Sequence, residues 1–163
     1  MIEGSRTPTG QAATTLILST FRANGLLLGA GDLLGAGEGL SSARWQVLGA
    51  IRLAERPLTV PQIARRMGLT RQSVHATVNR LVRDGCLELA QNADHRRSSL
   101  VGLTEMGRAK YEAIDALQAA WINRLARGIG RSDIDTAERV LEEICQRLEA
   151  DGEDASEAGK RDG

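Results

Sequence analysis

Between Arg71 and Arg83 the side chains able to meet the edge of a nucleobase recur at the spacing of a helix. Gln72, Ala76, Asn79 and Arg83 share one face, with His75 and Arg80 on its flanks and Arg71 in the first turn, while Val74, Val78, Leu81 and Val82 take the opposite side. Arginine pairs with guanine, glutamine and asparagine pair with adenine, and an alanine methyl fits against the methyl of thymine. Further along, Arg96 and Arg97 stand in the polar stretch Asn92-Ala-Asp-His-Arg-Arg-Ser98. Arginines on a thin projection suit a phosphate backbone or a minor groove.

The charge distribution agrees with that chemistry, although the formal net charge is zero. Residues 62–97 carry seven arginines against three acids, a net of +4, and residues 133–163 carry eleven acids against four bases, a net of −7. The middle of the chain therefore attracts polyanions and its end repels them. A solvated charged face remains the competing reading for the charges alone.

Local signals place these residues on defined elements. Thr59-Val-Pro-Gln62 forms a capping box and starts a short helix, Val60 to Met67, which Gly68 ends by taking the left-handed conformation. Leu69 is expected to pack back, and Thr70 caps the next helix, which runs to Asp84. A short capped helix entering a second one through a glycine turn is a helix-turn-helix, whose second member enters the major groove. After Gly85 the apolar period changes to two, with Leu87 and Leu89, then Val101 and Leu103 beyond the polar tip. This predicts a two-stranded hairpin whose apolar side packs on the helices.

The remainder reads as scaffold. Residues 1–10 form a flexible arm, and a long helix runs from Gln11 to about Leu34 on Ala13, Ile17, Phe21, Leu27 and Leu28. Six glycines from Gly25 to Gly39 mark either a frayed end or a close approach at a dimer interface or ligand cleft. Ser41-Ser42 can cap a helix carrying Trp45, Val47, Leu48, Ile51 and Leu53. Thr104 caps a further helix with Tyr111, Ile114, Gln118, Trp121 and Leu125 in step. After Gly128 and Gly130 a last helix keeps Ile134, Ala137, Leu141, Ile144 and Leu148 on a narrow stripe suited to helix pairing. Residues 151–163 are acidic, lack large apolar residues and read as a disordered tail. The boundaries that follow are an arm at 1–10, a first helix at 11–40, a DNA-binding domain at 41–107, C-terminal helices at 108–150 and a tail at 151–163.

Other functional classes find little support. Cys86 and Cys145 make no disulfide framework, and with His75 and His95 they lack zinc-site spacing, so no metal or cofactor is expected. There is no HExxH, GxSxG or phosphate-binding glycine loop. An enzyme is not expected. No stretch reads as a signal or membrane span, which points to a reduced, cytoplasmic setting.

Leu69-Thr-Arg-Gln-Ser-Val74, Arg80-Leu-Val-Arg-Asp-Gly-Cys-Leu-Glu88 and His95-Arg-Arg-Ser-Ser-Leu-Val-Gly-Leu-Thr-Glu-Met-Gly107 resemble the MarR family of winged helix-turn-helix transcriptional regulators, over roughly residues 11–150. The resemblance implies a mainly α fold with a small β-hairpin wing. It also implies a helical dimerisation domain built from the N- and C-terminal helices, and a homodimer that binds a pseudo-palindromic operator in double-stranded DNA. Carried over by position, the DNA-binding residues are Thr70, Arg71, Gln72, Ser73, His75, Ala76, Asn79 and Arg80 on the recognition helix, and His95, Arg96 and Arg97 on the wing. Where the family usually has an aspartate holding the wing arginine, this chain has His95. Either Asp94 takes that role, or Arg97 is held less firmly, or His95 donates to phosphate.

Many relatives are repressors released by small aromatic or anionic effectors. Trp45, Arg44 and Trp121 are the candidates for such a pocket here, against core roles for the tryptophans and a surface role for Arg44. Cys86 reads as a small buried hydrophobe. The peroxide-sensing branch carries a cysteine near the end of the first helix, and this chain has none there. The competing class is a winged-helix protein-interaction module that has lost DNA affinity.

Overall fold

The computed structural model describes residues 5–93 and 98–161, with side chains described as far as Asp151. The elements in chain order are α1 (Pro8–Gly35), a 3-10 turn (Ala36–Glu38), α2 (Ser42–Arg52), β1 (Leu58–Thr59), α3 (Val60–Met67), α4 (Arg71–Arg83), β2 (Leu87–Ala90), β3 (Leu100–Leu103), α5 (Glu105–Leu125) and α6 (Arg131–Arg161). They form two compact units, residues 1–120 and 121–163, and the boundary falls inside α5. The fold is mainly α with a small antiparallel sheet.

α1 starts three residues before the Gln11 expected from its apolar period. Thr-Pro-Thr-Gly is a helix start and not the end of an arm: Thr7 is extended, its hydroxyl accepts from Gly10 N at 3.0 Å, and Pro8 occupies the first turn. Proline is tolerated there because its missing N–H would have had no partner in the helix. At the other end α1 stops at Gly35, within the glycine-rich stretch. Of the two readings of those glycines, close approach holds at two of them, but within the chain. A Cβ on Gly31 would meet the Ser42 side chain and the Trp45 ring, and one on Gly35 would strike the Leu40 carbonyl. α1 and α2 therefore touch nearly backbone to backbone.

α2 is not capped by the serine side chain expected of it. Ser41 occupies the cap position but makes no side-chain cap bond; Asp32, on α1, accepts from Ser42 N at 2.6 Å. A carboxylate at a helix N-terminus satisfies an otherwise orphaned donor and favours the helix dipole.

The core of the first unit brings together Val47, Leu48 and Ile51 of α2, Ile63 and Ala64 of α3, and Val74, Val78 and Leu81 of α4. Val101 and Leu103 of β3 and Ile114 of α5 complete it. Each buried Val, Leu or Ile among them contributes roughly 1.5–3 kcal/mol by leaving water. The sheet has one strand more than expected. Its order is β1-β3-β2, with Leu58 opposite Val101 and Leu87 opposite Leu103. A two-residue strand carries no readable period. It is recognisable only because Leu58 is fully buried against Val101.

In the second unit α6 keeps the predicted apolar stripe, with Leu141 and Ile144 half-buried and Ile134 and Leu148 exposed. Its backbone stays helical to Arg161, where the acidic composition predicts disorder from residue 151. Glu and Ala are good helix formers, and composition poor in apolar residues argues against a core rather than against a helix.

Candidate nucleic-acid interface

The approach to the recognition helix follows from short-range chemistry. Gln62 Oε1 accepts from Thr59 N at 2.8 Å and fixes the start of α3. α3 ends at Gly68, whose φ of 61° is left-handed, and Leu69 N reaches back to the Ala64 carbonyl at 3.0 Å. Only the backbone of Leu69 packs back, since its side chain is exposed. Thr70 then caps α4, its hydroxyl accepting from Ser73 N at 3.2 Å.

α4 divides into the two faces predicted for it. Val74, Val78 and Leu81 are buried, whereas Arg71, Gln72, Ser73, His75, Ala76, Arg80 and Arg83 are exposed and Asn79 is half-buried. The Asn79 amide lies 3.1 Å from His75 Nδ1, one turn away. Arg80 Nε donates to Asp84 Oδ2 at 3.2 Å, and Arg44 Nη1 donates to the same oxygen at 3.2 Å. Asp84 was absent from the expected set, though its i,i+4 spacing from Arg80 was a readable signal.

The wing strands flank this face. A groove of about 480 Å³ runs between α4 and the sheet, bordered by Arg71, Gln72, His75 and Asn79 on one side and Leu89 and Ser99 on the other. Leu87 is buried as expected, but Leu89 is 53% exposed at this groove. β2 is buried at Leu87 alone, because the core ends before Leu89. The wing-tip residues Asp94, His95, Arg96 and Arg97 lie outside the described residues.

The three effector candidates are not gathered together. Trp45 borders a cleft of about 430 Å³ with Gly49, Leu53, Met67, Tyr111 and Gln118. The cation at that cleft is Arg66. Arg44 instead holds Asp84, and Trp121 belongs to the other unit. Gly49 admits the Tyr111 ring, which a Cβ there would meet at 3.1 Å. Burial raises the Tyr111 hydroxyl above its ordinary pKa, as do the charge of Asp115 and the hydrogen bond to it, against a lowering by Arg52. Cys86 is buried, and desolvation raises its thiol; Lys110 opposes this, Asp84 adds to it and Arg44 opposes it. Among the described residues no group of His, Cys, Asp and Glu could hold a metal ion, and no helix is long and apolar enough to cross a membrane.

A profile described as "MarR family" matches residues 38–98, from the 3-10 turn through the helix-turn-helix to the wing. An uncharacterised protein of Mycobacterium tuberculosis is 40% identical over 136 residues, 83% of this chain and 94% of that one. The chain belongs to the MarR family. Solved MarR-family structures share its fold. AbsC of Streptomyces coelicolor superposes with a TM-score of 0.75 at 17% identity, covering 90% of this chain and 99% of that one. The M. tuberculosis transcriptional regulator MOSR, solved in complex with DNA, gives a TM-score of 0.69 at 24% identity over 82% of this chain and 96% of that one.

Proposed function

We propose that this MarR-family chain is a sequence-specific DNA-binding transcriptional regulator and not an enzyme, acting as a homodimer on a pseudo-palindromic operator and repressing transcription until an effector binds. The observation that carries this reading is the outer face of α4, which offers Arg71, Gln72, His75, Ala76, Asn79 and Arg80 to solvent above a fully apolar buried face. A face so composed has the donors and acceptors of major-groove readout. Arg96 and Arg97 are assigned to the flanking backbone or minor groove by their position in the wing sequence.

Dimerisation is supported by apolar surface that a lone chain leaves in water. Leu18, Phe21, Leu26 and Leu33 of α1 are each more than 60% exposed, and so is Leu148 of α6. Large apolar side chains left in water on each of these helices are what a protein interface would cover. The helices at 11–40 and 108–150 are therefore assigned to dimerisation. The cleft beside Trp45 and Tyr111, with Arg66 at its edge, suits a small aromatic or anionic effector.

The direct test is a footprint on DNA upstream of the chain's own gene. Two protected half-sites about one helical turn apart are expected for a dimer with two recognition helices. Protection of a single half-site would contradict the dimeric reading, and uniform protection of unrelated DNA would contradict sequence-specific readout.

A further inference from the structure

Asp84 stands where simple electrostatics argues against a carboxylate. It caps the C-terminal end of the recognition helix, where the helix dipole disfavours negative charge, and lies on the helix proposed to approach a polyanion. Two arginines account for it. One oxygen, Oδ2, accepts from Arg44 of α2 and from Arg80 of α4, each at 3.2 Å. The side chains of Arg44 and Asp84 are 27% and 32% exposed, whereas that of Arg80 is 59% exposed. The inner arginine thus fastens the carboxylate to the scaffold, and the carboxylate fastens the outer arginine.

The geometry points to Asp84 as a positioning residue for DNA recognition, one that fixes the exposed Arg80 guanidinium against the DNA backbone without itself touching DNA. Arg80 sits about 80° around the helix from Gln72, on the rim of the base-reading face, where a backbone contact is the natural complement to base contacts. The carboxylate engages Nε alone. The two terminal nitrogens keep the fork geometry that matches a phosphate. Holding the arm in advance removes part of the side-chain entropy that a free arginine loses on binding. This inference rests on the DNA-reading function proposed above and adds a residue to it.

The experiment compares Asp84→Asn, Asp84→Glu, Arg80→Met and the double variant Asp84→Asn/Arg80→Met by DNA titration over a series of salt concentrations. If Asp84 only contributed a negative charge, its removal would tighten binding and leave the salt slope unchanged. Positioning predicts the opposite sign: Asp84→Asn weakens binding and makes the slope of log K against log salt shallower, by up to ~0.9 for one lost phosphate contact. Asp84→Glu restores most of both. In the Arg80→Met background, Asp84→Asn produces no further loss. Tighter binding by Asp84→Asn, or an equal loss in both backgrounds as misfolding would give, overturns the inference and leaves the DNA-reading proposal standing. No salt-sensitive binding by the unaltered chain overturns both.

Discussion

The Thr104 hydroxyl donates to the Gly85 carbonyl at 2.7 Å while accepting from Gly107 N at 3.0 Å. One oxygen thereby ties the end of the recognition helix to the start of α5, and Thr104 N reinforces the link by donating to the Cys86 carbonyl at 3.2 Å. Gly107 completes the junction, since a Cβ there would collide with that same Cys86 carbonyl. The sequence His-Arg-Arg to Leu-Thr-Glu-Met-Gly, read first as a motif, thus has a mechanical meaning at its C-terminal end.

Replacing Thr104 by Val removes both side-chain bonds and keeps the shape. It leaves the part-buried Gly85 carbonyl without that donor, and a loss of about 1–3 kcal/mol is expected. Urea unfolding of the two proteins side by side measures it; an unchanged midpoint would deny the junction its role.

Two glycines on α1 should respond to alanine with opposite signs. Gly35→Ala drives a methyl into the Leu40 carbonyl, which backbone cannot readily yield, and should destabilise by about 1–3 kcal/mol. At Gly29 nothing lies within 4 Å of an added Cβ, so alanine should stabilise the helix by up to ~1 kcal/mol. Thermal melts at fixed protein concentration compare them, and equal shifts in one direction would contradict the close packing of α1 on α2.

The buried thiol sets an alkaline limit. Burial raises Cys86 above its ordinary value of 9.0, so between that value and its folded one the native state binds the proton that the unfolded chain has lost. Stability from this group is complete below the unfolded pKa and falls as pH rises through the folded one. Tyr111, raised above 10.0, acts with the same sign at higher pH. The urea midpoint should therefore fall as pH rises above the ordinary thiol value of 9.0, and Cys86→Ala should make the early part of that fall smaller. A Cys86→Ala profile parallel to the unaltered protein's would contradict the assignment.

Base reading by α4 predicts changed preference and not merely weaker binding. Gln72→Ala and Asn79→Ala should each cost about 1–3 kcal/mol on the best operator and less on operators altered at the matching base. Binding selections from randomised half-sites report this directly, and unchanged preferences with uniformly lower affinity would reassign both residues to the backbone.

How far the sequence could be read depended on how local each cause was. Capping, the left-handed turn at Gly68 and the division of α4 into Val74/Val78/Leu81 and Gln72/Ala76/Asn79 depend on neighbours within a few positions, and they were legible. The Asp32 cap on α2, the strand at Leu58 and the Arg44–Asp84 link join residues 10 to 43 positions apart, and no period or spacing encodes them. Arg44 shows the difference best. Its charge suggested an effector, yet its partner arrives from the end of another helix. The Thr7 cap was local and was still passed over, because a proline beside glycine reads as loop unless the first-turn exception is applied.

Regulation by this chain requires that the outer face of α4 engage DNA. Titrating labelled duplex from upstream of the chain's own gene with purified protein, from about 50 to 200 mM salt, tests it most directly. The predicted result is binding that is tightest at low salt, falls linearly in log K against log salt, and exceeds binding to scrambled duplex throughout. Affinity that ignores salt, or that fails to distinguish the two duplexes, would contradict the account.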